Sequence, residues 1–197
     1  MTRGPAPFLA LVLLAAAGST AAEVSEPRFT GALDLGFSQP TGALPSDMFV
    51  GGTLRARLRG AFSLEAGLGA GSPVTTSART ATGSTRSVDI GSGLHATLFG
   101  RLTRNLGARF QASLAAGPAL VSGDVFGTVP LAHGEGAIGL RLGRRAVLAF
   151  ALGYESALTT SREAFPASEC IGSGACPPRY EAGSGQWVSR WSIGWRF

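Results

Sequence analysis

The sequence predicts an all-β chain, an eight-stranded antiparallel up-and-down transmembrane β-barrel behind an export leader. Three observations lead there. Apolar and polar residues alternate with period two through most of the chain beyond residue 28, the signature of strands with two unlike faces. The connections between alternating segments are short and long in turn, as in membrane barrels. One face is apolar and uncharged throughout, which is what lipid requires.

The leader comes first. Met1-Thr2-Arg3 makes a short basic start, Phe8 to Ala17 is apolar, and Gly18-Ser19-Thr20-Ala21-Ala22 supplies small residues. This order predicts a secretory signal peptide over residues 1–22, cut after Ala21 or Ala22. The apolar run falls short of the ~20 residues of a spanning helix. Residues 23–197 then read as one barrel domain. Its two cysteines, Cys170 and Cys176, would enter an oxidising compartment, where a disulfide closing a small ring is expected.

Composition narrows the partners. All 17 basic residues are arginine, set against 12 acids, and charged residues make up only 15% of the chain. That is too little charge for a disordered tail or a coiled coil. The net charge of +5 is spread along the chain, which argues against a nucleic-acid surface.

The strands follow in order. Phe29, Leu33, Leu35 and Phe37 oppose Thr30, Asp34 and Ser38; Val50, Leu54, Ala56 and Leu58 oppose Thr53, Arg55, Arg57 and Arg59. Phe62, Leu64, Ala66, Leu68 and Ala70 oppose Ser63, Glu65, Gly67 and Gly69. A fourth strand sets Val88, Ile90, Leu94, Ala96, Leu98 and Leu102 against Asp89, His95, Thr97 and Arg101. In the fifth, Leu106, Ala108, Phe110, Ala112 and Leu114 oppose Gly107, Arg109, Gln111 and Ser113. Ala132, Ile138, Leu140 and Leu142 oppose His133, Glu135 and Arg141 in the sixth. The seventh sets Ala146, Leu148, Phe150, Leu152 and Tyr154 against small residues and Glu155. The last sets Trp187, Trp191, Ile193, Trp195 and Phe197 against Val188, Arg190, Ser192 and Arg196.

Tight turns are expected at 59–61, 103–105 and 143–145, and long loops at 40–47, 72–87, 123–130 and 159–186. The polar face is rich in glycine, which suits a narrow lumen with room for a few large polar groups. A lumen network is predicted from Asp34, Arg55, Arg57, Glu65, Asp89, His95, Arg101, Arg109, Gln111, His133, Glu135, Arg141, Glu155 and Arg190. Register arithmetic across the tight turns sets Arg55 against Glu65 and His133 against Glu155. Matched charges are expected because a lone buried charge is far costlier.

The leader, the eight amphipathic strands and the ending Trp191-x-Ile193-x-Trp195-x-Phe197 resemble the small bacterial outer-membrane β-barrels, among them the membrane domain of outer membrane protein A and the outer membrane protein X and W group. The likeness covers about residues 28–197. It implies that Trp191, Ile193, Trp195 and Phe197 form the terminal signal read by the barrel assembly machinery. It also implies an outer-membrane location with periplasmic termini, and contact with membrane lipid and lipopolysaccharide. The family is functionally mixed, so its fold does not deliver a function.

Other motifs dissolve. Gly134-x-Gly136-x-x-Gly139 matches a dinucleotide fingerprint by letter, but lies in an alternating strand and opens no helix. Arg55-x-Arg57-x-Arg59 falls on the lumen face or its rim. Cys170 and Cys176 lack a nearby histidine to complete a metal set. Lipid A deacylases of this architecture carry His and Ser two residues apart on the lipid-facing wall. Here His95 is followed by Ala96-Thr97 and His133 by Gly134-Glu135, with both histidines on the polar face. Proteases of the omptin type need ten strands. The expectation is a monomeric, non-enzymatic envelope component without cofactor or metal. Its long loops would meet a surface partner; the alternative is a narrow conduit for small or apolar solutes.

Overall fold

A computed structural model describes residues 28–40, 47–71, 75–79, 85–89, 93–123, 127–161 and 182–197. The predicted leader and Cys170 and Cys176 lie outside these residues. The described chain forms strands β1 (Phe29–Pro40), β2 (Asp47–Arg59), β3 (Phe62–Gly71), β4 (Thr75–Arg79), β5 (Thr85–Asp89), β6 (Leu94–Leu106), β7 (Phe110–Gly123), β8 (Gly127–Leu142), β9 (Ala146–Ala157) and β10 (Gly185–Arg196). Eight of them close an antiparallel barrel in the order β1-β10-β9-β8-β7-β6-β3-β2, and β4 and β5 pair as a separate two-stranded sheet. The first and last strands meet along a full ladder from Thr30↔Arg196 to Pro40↔Gln186, so the barrel has no open edge.

Three turns close one end. Residues 60–61, 107–109 and 143–145 turn the chain, with Gly60, Gly107 and Gly143 at φ of 53°, 79° and 77°. Glycine reaches this left-handed region without a Cβ penalty, and that sets where each hairpin turns. The second turn corrects the sequence reading: β6 runs through 103–105 and turns at 107–109, where Gly107 supplies the positive φ. Arg109 therefore stands exposed in a turn and not in the lumen.

At the other end two corrections follow. The segment 72–87 was expected as loop, yet it holds β4 and part of β5, and Asp89 belongs to that hairpin, paired with Thr75 and outside the barrel. The fourth barrel strand starts only at Leu94. The expected long loop 123–130 shrinks as well, because β7 and β8 pair out to Gly123↔Gly127.

The two faces are sorted as a membrane barrel requires. Phe29, Leu33, Phe37, Leu54, Phe150 and Trp191 are among the large apolar side chains left exposed on the outer wall. Asp34, Glu65, Arg101, Glu135, Glu155 and Arg190 are buried inside. A barrel dissolved in water shows the opposite arrangement. On the outer wall Phe150 meets Trp191 at a ring-centroid distance of 4.7 Å and Tyr154 meets Trp187 at 5.2 Å. These cross-strand aromatic pairs stiffen the β9–β10 seam.

Candidate functional site

The lumen is the one place in the described structure where chemistry-bearing side chains converge. Near its middle, Glu65 of β3 gathers three arginines. Arg55 of β2 donates from Nε at 2.8 Å, Arg101 of β6 from Nε and Nη2 at 2.8 Å each, and Arg190 of β10 from Nη2 at 3.1 Å. Arg190 also donates to Glu135 of β8 at 2.6 Å, and Arg101 makes a second ion pair with Glu135. Ser113 of β7 accepts from Arg101 at 2.8 Å, while Asp34 of β1 accepts from Ser192 and lies 3.8 Å from Arg190. Buried charges persist only when paired and hydrogen-bonded, and here Glu65 and Glu135 each have several donors.

A second tier lies toward the long-loop end. Glu155 of β9, fully buried, meets His95 Nε2 at 2.9 Å and His133 Nδ1 at 2.8 Å through one oxygen. Gln186 donates to its other oxygen at 2.6 Å. His133 joins the tiers, since its Nε2 lies 3.2 Å from Glu135. All eight barrel strands thus contribute to one connected network.

Aromatic rings cap this tier from inside. Phe99 stacks on His133 at 4.4 Å and Phe49 lies tilted against His95 at 4.9 Å. Gly36 makes room for Phe49: a Cβ there would lie 2.0 Å from the ring. Val121, Val129, Leu131 and Val188 are buried on the inward face beyond them. Of these, Val188 was read with Arg190 on the inward face, whereas Phe49, Phe99, Val121, Val129 and Leu131 were missed by a reading that assigned polar residues to the lumen. Parity alone places Phe49 with Thr53 and Arg55, and Phe99 with His95 and Arg101.

The remaining sequence-predicted residues divide between lumen and rim. Gln111 is buried and accepts from Arg196 at 3.0 Å. Arg141 donates to Asn105, and Arg57 Nε to the Gly60 carbonyl at 2.7 Å, both holding the short-turn end. Trp191, Ile193, Trp195 and Phe197 face outward together on and just past β10.

The network leaves little space. A cavity of about 20 Å³ remains among Asp34, Phe49, His95, Phe99, His133 and Arg190, room for roughly one water molecule. Among the described residues, no group of His, Cys, Asp and Glu forms a metal site. Nor does a serine or threonine hydroxyl bond to either histidine in the pairs described above. The arrangement cross-braces the barrel wall and fills it.

An apolar outer wall, a closed eight-stranded ladder and a charged, filled lumen define the class: this chain has the fold of the small eight-stranded outer-membrane barrels. It is similar to the N-terminal β-barrel domain of Pseudomonas aeruginosa OprF, with a TM-score of 0.53 and 11% identity over 88% of this chain and all of that one. Neisserial surface protein A matches with a TM-score of 0.53 and 9% identity, covering 86% of this chain and 97% of that one. The outer membrane protein OprG of Pseudomonas aeruginosa matches with a TM-score of 0.50 and 13% identity over 87% and 97% of the two chains. No protein-family profile matches the sequence, and no curated protein matches it.

Proposed function

We propose that this protein is an integral outer-membrane barrel that works as a closed, non-enzymatic scaffold, holding its long loops at the cell surface for contact with an external partner. The observation that supports this most is the filled middle of the lumen, where arginine–glutamate pairs and stacked rings surround a cavity of only about 20 Å³. A conduit needs a continuous path, and eight strands leave an interior that side chains fill. Among the described residues the enzyme reading has no supporting site, because His95 and His133 are buried against Glu155 and Phe49 or Phe99. Loops on a rigid scaffold are where binding is usually carried.

The test separates scaffold from enzyme in cells. Removal of residues 162–181 should leave a heat-modifiable barrel in the outer-membrane fraction while changing antibody access or surface binding. His95→Ala and His133→Ala should leave the envelope lipid profile unchanged. A lipid A acylation pattern that depends on either histidine would overturn the reading.

A further inference from the structure

The short-turn end carries a charge pattern that neither the lumen network nor the loops account for. Arg28, Arg59, Arg104, Arg109, Arg144 and Arg145 all stand exposed there. At the same end Arg57 holds the Gly60 carbonyl of a turn and Arg141 the Asn105 side chain of β6, and the six are additional to these two. The described acidic residues lie elsewhere. Asp34, Glu65, Glu135 and Glu155 are inside the lumen, Asp47 opens β2 at the long-loop end, and Asp89 sits in the β4–β5 hairpin. Among the described residues, this rim has no acidic side chain. Turns ordinarily draw on Asn, Asp, Gly and Ser; glycine supplies the positive φ here, and turn geometry does not explain why the described charges of this rim are all arginine.

The position of the six is equally specific. Arg28 adjoins Phe29, Arg59 adjoins Leu58 and Arg109 adjoins Phe110, each of those apolar neighbours being exposed on the outer wall. Each of these three backbone positions therefore lies about 3.3 Å along the chain from an outward apolar residue, at the edge of the apolar wall, where a long arginine stem can carry its charged head out to the headgroup region. The six are also shared around the barrel, at the start of β1 and in the β2–β3, β6–β7 and β8–β9 hairpins. A docked protein would engage one sector of such a rim. A ring of headgroups engages all of it. The guanidinium fork matches phosphate oxygens two at a time.

We infer that this arginine ring binds the phosphate groups of anionic phospholipids in the leaflet surrounding the short-turn end. The inference rests on the membrane reading above, which places that end at the periplasmic leaflet.

The test uses the full chain refolded into phosphatidylcholine vesicles, with Trp187→Phe and Trp191→Phe so that Trp195, which pairs with Gly31 and Ala146 near this rim, reports alone. Quenching by brominated phosphatidylglycerol is compared with quenching by brominated phosphatidylcholine at equal mole fraction. Phosphatidylglycerol should associate about threefold more strongly or better, and the preference should fall toward parity in about 0.5 M salt. Replacing all six arginines with glutamine should bring it to parity, whereas six lysines should retain part of it. If the glutamine variant fails to insert, the salt titration of the parent chain and the lysine variant carry the same test.

Gel migration before and after boiling is read first. A chain that never inserts contradicts the membrane reading and the ring with it; an inserted chain quenched equally by both lipids contradicts the ring alone. Loss of the preference in about 10 mM inorganic phosphate at matched ionic strength would assign the ring to a soluble phosphate and overturn the lipid assignment. Cosedimentation with peptidoglycan without any lipid preference would do the same in favour of an acidic polymer.

Discussion

The two tiers of the lumen solve one problem in different ways. Around Glu65 and Glu135 the network is a mesh: Glu65 accepts from Arg55, Arg101 and Arg190, and Glu135 from Arg101 and Arg190, with His133 also beside it. Around Glu155 it is a star, in which His95, His133 and Gln186 all meet one carboxylate. A mesh tolerates loss of one cation because others cover the acid. It does not tolerate loss of an acid, which strands several buried charges together. A star fails at its centre and tolerates loss of an arm.

That contrast can be broken by substitution, read as urea unfolding of the vesicle-inserted barrel by tryptophan fluorescence. Glu65→Ala should be the most damaging, at about 3–5 kcal/mol, because it leaves three arginines short of a partner. Unfolding unchanged from the parent would show that the mesh carries no stability. Glu155→Ala should cost about 2–3 kcal/mol, since it orphans Gln186 and leaves two imidazoles without their shared acceptor. His95→Ala, which removes one arm, should cost clearly less than Glu155→Ala, and the reverse order would contradict the star.

Smaller effects sharpen the comparison. Gly36→Ala should cost about 1–3 kcal/mol by driving Phe49 off its seat over His95, because the added methyl would lie 2.0 Å from the ring. Asp34→Asn should cost about 1 kcal/mol, because Asp34 sits at the margin of the mesh, 3.8 Å from Arg190.

Much of this architecture was legible in the sequence for a simple reason. Lipid imposes one polarity on every outward position, so period two survives through Leu33, Leu54, Phe150 and Trp191 alike. Pairs between neighbouring strands were legible too, because a tight turn fixes the local register that sets Arg55 against Glu65 and His133 against Glu155. Contacts across the lumen were not. Arg190 reaches Glu65 across 125 residues of chain, and His95 reaches Glu155 across 60. Those meetings depend on barrel closure and stagger, which no local pattern encodes.

The inward face also misled wherever it is apolar. Val129 and Leu131 point inside, so a rule that makes lumen residues polar began β8 late and stretched the loop after Gly123 to residue 130, although β8 starts at Gly127. Asp89 shows the converse error. Its alternation with Val88 and Ile90 continues that of Leu94 and Ala96 by parity, yet Asp89 and Leu94 lie on separate sheets. Parity records which way a side chain faces along one strand; it does not show that two segments are the same strand.

The closed lumen is tested most directly by ion conductance of the refolded full-length protein in a planar lipid bilayer. A mesh of buried ion pairs around a cavity of about 20 Å³ predicts membranes that stay at their protein-free baseline. Glu65→Ala, if it inserts, should leave a noisier trace than the parent. Stable, discrete openings from the unmodified chain would contradict the filled lumen and return the conduit reading to first place.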